Sequence, residues 1–124
     1  MVSALDTFVS YIDILTLALA ESAMCRFDPD IDKWHAAVLE IWKKYKDEIP
    51  ELKRICFVDD RHPLAPMSDQ VYSLRIVLAR SGEMPMSPKV KRQIIKREET
   101  RLAKYAEEIK GIAAIFEKHL EIRK

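Results

Sequence analysis

Residues 87–120 read SPKVKRQIIKREETRLAKYAEEIKGIAAIFEKHL, and the folding of this run decides the architecture of the 124-residue chain. Ser87 followed by Pro88 marks a helix start, because the serine hydroxyl can accept from an otherwise unsatisfied N–H and proline's missing N–H costs nothing in the first turn. No proline follows, and Gly111 is the only later glycine. The run therefore predicts one helix over 88–122, about 52 Å long at about 1.5 Å per residue. A compact chain of this size is about 35 Å across, so either Gly111 bends the helix back or its end projects onto another chain. Ile95, Leu102, Ile109 and Phe116 recur every seven residues, with Ala106, Ala113 and Leu120 on the adjacent ridge. That is a coiled-coil-like seam about three heptads long whose alanines permit close approach. The expectation is a homodimer joined through this seam. The alternative is that the stripe meets an apolar helix of the same chain.

Upstream, Ser68 caps a helix with Val71, Leu74 and Leu78 on its inner face and Gly82 at its C-terminal end. The segment before it, Asp59-Asp60-Arg61-His62-Pro63-Leu64-Ala65-Pro66, is a loop, since two prolines three apart exclude helix and central strand alike. Residues 51–58 fit either a short helix or a buried strand, and the helix is favoured. Before Pro50, Ile31, Trp34, Val38, Ile41, Tyr45 and Ile49 line one face of an amphipathic helix capped at Asp28, with Pro29 in its first turn. The N-terminal segment is capped at Ser3 and carries Leu5, Phe8, Ile12, Leu15 and Leu19 at helical spacing, with Val9, Ile14, Leu17 and Ala18 widening the apolar arc. A helix apolar around most of its circumference belongs in the middle of a bundle or at a subunit interface. The fold class expected is all-α: one domain over 1–124, about five helices, a central N-terminal helix and a long C-terminal one.

The composition removes several functions. With two glycines and no asparagine, Gly-rich phosphate cradles and dinucleotide fingerprints are absent. Cys25 and Cys56 stand 31 positions apart without a C-x-x-C pairing, which suits reduced thiols in a cytoplasmic protein. The apolar N-terminus carries Asp6, Asp13 and Glu21 and no basic flank, so neither a signal peptide nor a membrane span is expected. The absence of asparagine, beside many Lys, Arg and Glu, resembles heat-adapted composition.

The net charge is only +1, so an anionic partner must be met by a local patch. One exists on the sequence. Between 88 and 104 stand seven cations (Lys89, Lys91, Arg92, Lys96, Arg97, Arg101, Lys104) and two anions (Glu98, Glu99). A solvated helix face would interleave the signs. Here Arg92 with Lys96 and Arg97 with Arg101 are like-charge i,i+4 pairs, and Lys89, Lys91 and Arg92 occupy a first turn where the helix dipole disfavours cations. Such a run suits nucleic acid or an acidic protein surface. Tyr105 is its sole aromatic neighbour, so backbone contact is favoured over base stacking.

Other constellations are weaker. Asp28, Asp30 and Asp32 imitate a calcium loop, but Lys33 and Leu39 stand where glycine and glutamate are needed, and helix capping explains the aspartates. Asp59, Asp60 and His62 form the one crowded polar loop that an enzyme reading would rest on. His35 and His119 lack neighbours at metal spacing. No metal, cofactor or catalytic residue is expected. The function expected is a small non-enzymatic assembly or adaptor subunit working through the long C-terminal helix. The alternative is a nucleic-acid-binding subunit that uses the basic stretch 88–104. A degenerate winged-helix regulator is a weaker form of that alternative, because Glu83-Met84-Pro85-Met86 contains no strand-forming residue for a wing.

Overall fold

The computed structural model describes residues 10–55 and 85–122. Every regular element among them is helical: α1 (Tyr11–Glu21), α2 (Ile31–Tyr45), a 3₁₀ turn (Pro50–Arg54), α3 (Pro88–Glu98), a second 3₁₀ turn (Ala103–Tyr105) and α4 (Ala106–Leu120). The all-α expectation holds, with four α-helices among the described residues. The helix expected from Ser68, the loop at Asp59 to His62 and the start at Ser3 lie outside them.

α1 begins where Ser10 caps it. Its hydroxyl accepts from the N–H of Asp13, and the Asp13 carboxylate accepts from the N–H of Ser10 at 3.1 Å, a reciprocal capping box. Ile14, Leu15, Leu17, Ala18, Leu19 and Ala20 are all buried, and so is Thr16. No polar stripe survives over those two turns, because α3 and α4 both pack on this helix. α2 also packs on α4. Its cap is Asp30 rather than Asp28: the Asp30 carboxylate accepts from the N–H of Asp32 at 2.9 Å. Asp28 precedes it, accepting from the N–H of Asp30 at 3.0 Å and from the Lys33 ammonium at 2.5 Å. α2 ends at Tyr45; of the segment 51–58 expected to be a short helix or a strand, residues 51–54 belong to a 3₁₀ turn (Pro50–Arg54), and residues 56–58 lie outside the described ones.

The single long helix over 88–122 is corrected. The run breaks at 99–105, where Leu102 (φ −106°, ψ 16°) and Tyr105 (φ −108°, ψ 17°) leave helical geometry. Three anchors hold the break. Leu102 is 1% exposed in the core, the Tyr105 hydroxyl donates to Glu51 at 2.7 Å, and the Arg101 guanidinium bridges Glu98 and Asp13. With α3 and α4 both lying on α1, the hydrophobic stripe closes one core instead of projecting from it.

The seam is corrected with it. Leu102, Ile109, Ala113, Phe116 and Leu120 are buried inside this one chain and present no surface to a second copy. Phe116 packs 6.1 Å from Trp34, which meets Phe27 edge-on at 6.0 Å. Only Ile95 and Ala106 keep contact with solvent. Five of the seven residues assigned to a homodimer seam therefore lie in the helix-on-helix core of this one chain.

Gly111 does not bend anything; it lies inside α4. A Cβ there would fall 1.9 Å from the Tyr45 hydroxyl oxygen and 3.0 Å from the adjoining ring carbon. The missing side chain is what lets the α2 tyrosine cross α4. Gly111→Ala should therefore lower the urea midpoint in the native background, because the ring must leave its site. In a Tyr45→Ala background the same substitution should raise stability by about 1 kcal/mol through helix propensity. The reversal of sign in a double-mutant cycle checks the contact.

Candidate anion-binding face

α3 packs on α1 through one side, where Ile94 and Glu98 are buried together with the Lys91 stem. The structure divides the seven cations of residues 88–104 between the interior and the surface. Lys91 belongs to the interior. It is 9% exposed, and its ammonium donates to the carbonyl oxygen of Ser22 at 2.6 Å. Ser22 caps the C-terminal end of α1, the negative end of that dipole. The cation that is unfavourable in the first turn of its own helix is thus favourable at the end of the neighbouring one.

Arg101 is structural as well. Its side chain, 26% exposed, reaches Asp13 at 3.1 Å and also Glu98, whose side chain is 7% exposed. These carboxylates and the guanidinium tie the start of α1 to the end of α3. Burial works against the Arg101 charge, but the two carboxylates outweigh it and hold the guanidinium above its ordinary pKa. Arg97 shares Glu98 through its Nε at 3.1 Å while its side chain stays 55% exposed.

Lys89, Arg92 and Lys96 are exposed and form no ion pair with the described residues. At about 3.6 residues per turn they share the side of α3 opposite its buried face. Gln93 and Thr100 stand between and beside them, also exposed. Lys104 lies within the break, 5.0 Å above the ring of Tyr105. Of the seven cations expected to bind an anion, Lys89, Arg92, Lys96 and Arg97 are brought together on one outward face, and Lys91 and Arg101 are removed from it.

Tyr105 is not available to stack on a base. It is 8% exposed, and its hydroxyl is held by Glu51. Burial and that neighbouring carboxylate push the phenol up to about 12. Because the folded state holds this proton more tightly than the unfolded one, the contribution is complete below the ordinary pKa near 10 and is lost as pH rises from about 10 to about 12. The stability difference between the native chain and Tyr105→Phe should shrink across that window in denaturant titrations.

Two features escaped the sequence. His119 has a partner: its Nε2 lies 2.9 Å from Glu40, which also accepts from Lys118 at 2.6 Å. The hydrogen bonds from Lys118 and then His119 hold the Glu40 carboxyl below its ordinary range. This cluster joins α2 to the end of α4, and nothing short of the fold pairs residues 40 and 119. The second feature is a cleft of about 410 Å³ between α1 and the 99–105 break, bordered by Leu17, Glu21, Glu99, Thr100, Ala103 and Ala106. Burial, assisted by Glu99 and opposed by Lys110, raises the Glu21 carboxyl above its ordinary pKa.

Among the described residues no group of His, Cys, Asp and Glu is arranged to hold a metal ion, and no helix is long and apolar enough to cross a membrane. Cys25 is an exposed free thiol; Cys56, Asp59, Asp60 and His62 lie outside the described residues. Comparison with protein-family models, curated proteins and solved structures finds no match.

Proposed function

We propose that this chain is a non-enzymatic helical subunit that binds the phosphate backbone of nucleic acid through the outward face of α3. The observation that carries the reading is a helix face bearing Lys89, Arg92 and Lys96 without an ion pair to any described carboxylate, with Arg97, whose Nε is shared with Glu98, at its edge, on a molecule of net charge +1. Like charges placed side by side repel, and nothing on the inner side of α3 requires Lys89, Arg92 and Lys96 to be cations. Phosphate recovers that repulsion as attraction. Five residues of the ridge expected to carry an adaptor role are buried within this chain, which favours the cationic face as the working surface.

Four phosphate contacts correspond to a salt slope of about −3.6, or a fall in affinity of about 10²-fold between 50 and 200 mM salt. A fluorescently labelled 20-base-pair duplex followed by anisotropy should show it. Lys89→Ser, Arg92→Ser and Lys96→Ser together should reduce the slope by about 3 while leaving helix content unchanged. Binding that is absent, or indifferent to salt and to the triple substitution, overturns the proposal.

A further inference from the structure

The shape of the cationic face narrows the class of nucleic acid. α3 is 11 residues long, about 16 Å, and with side chains about 10–12 Å across. Projected down its axis, Arg92, Lys96, Lys89, Gln93 and Arg97 fill an arc of about 140° at about 3.6 residues per turn. All are exposed, and every charge within the arc is positive. The nearest carboxylate outside it, Glu99, borders the cleft with Glu21 instead. Arg92 and Arg97 stand at the two edges of the arc, with Lys89, Gln93 and Lys96 along its middle.

Single strands are held by stacking bases on aromatic side chains, and this arc has none; Tyr105, in the turn that follows α3, is buried against Glu51. RNA duplexes close their major groove to side chains. The major groove of B-form DNA is about 12 Å wide and admits a helix. Resting on the function proposed above, we infer that α3 lies in the major groove of duplex DNA. Arg92 and Arg97 reach the phosphates of the two flanking strands, Lys89 and Lys96 reach phosphates toward the two ends of the helix, and Gln93 in the middle faces base edges. Glutamine suits the adenine N6 and N7 pair. The middle of the arc therefore prefers adenine, and Gln93 is its reading residue.

The test uses the full chain and three probes of equivalent sequence: a 20-base-pair DNA duplex, the RNA duplex and the single DNA strand. The DNA duplex should bind at least tenfold more tightly than either of the others. Selection from a randomised duplex library should return a site with a preferred adenine. Gln93→Ala should reduce that preference about tenfold and leave the salt slope unchanged. Equal affinity for the RNA duplex or the single strand overturns groove insertion while the phosphate-binding function stands. A library without sequence preference also overturns it, as does a preference that Gln93→Ala does not alter. Failure to bind any of the three, with retention of poly-glutamate instead, overturns the function itself in favour of an acidic protein surface.

Discussion

Leu102→Asp combined with Ile109→Asp is expected to give an unfolded chain. Both residues are 1% exposed within one molecule. Each substitution removes a large aliphatic group, worth about 2–5 kcal/mol when truncated to alanine, and forces a carboxylate without a partner into the space. Two such losses approach or exceed the whole stability of a domain, about 5–15 kcal/mol. Far-ultraviolet circular dichroism at 25 °C should show the helix signal lost. As a control, Ala106→Asp changes the position of the same heptad pattern that is exposed, and that variant should stay folded. A folded monomer from the first variant, paired with a native dimer by sedimentation, would return these residues to a subunit seam.

Arg101→Ser carries the second large expected effect. Glu98 keeps only Arg97 once its other partner is gone, and Asp13 loses its contact across to the helix break. Removing one member of a buried ionic network costs more than the network contributes, because the remaining charge stays buried; about 3 kcal/mol is expected. The companion variant Glu98→Gln with Arg101→Met removes both charges and should recover part of the loss. Affinity for a DNA duplex should be little changed in Arg101→Ser at a temperature where it remains folded, which separates this cation from Lys89, Arg92 and Lys96. A variant of native stability that no longer binds DNA would place Arg101 on the binding face.

Much of the helical content was legible in residue spacing, and the placement of helix ends was partly so. Ser87 with Pro88 marks the start of α3 as the sequence predicts, and the apolar excess of residues 14–20 foretells a central helix. The break at 99–105 was not legible, because residues 98–105 contain neither glycine nor proline and local propensity continues the helix through them. It is imposed from a distance by Asp13, by Glu51 and by the burial of Leu102. A seven-residue period is equally satisfied by one rod meeting another chain and by two helices folded onto α1. One local signal was present all the same. Glu107 and Glu108 begin α4 and Lys118 and His119 end it, so the acid-first, base-last polarity of a helix restarts at 106, inside the supposed rod. The charge pattern likewise announced a basic region but not its division, since the engagement of Lys91 depends on Ser22 and that of Arg101 on Asp13, both about 70 to 90 residues away.

Among the described residues α1 is covered chiefly by α3 and α4, which lie between Pro88 and Leu120, with the 3₁₀ turn Pro50–Arg54 touching it as well. On a ribosome adding about 5–20 residues per second, roughly 100 residues separate the emergence of α1 from that of the segments that shelter it. For about 5–20 s the nascent chain carries this apolar stretch without those two helices, a period in which holding factors have time to engage it. Closure of this core has to await release of α4 from the exit tunnel, so the order of synthesis runs against the order of packing.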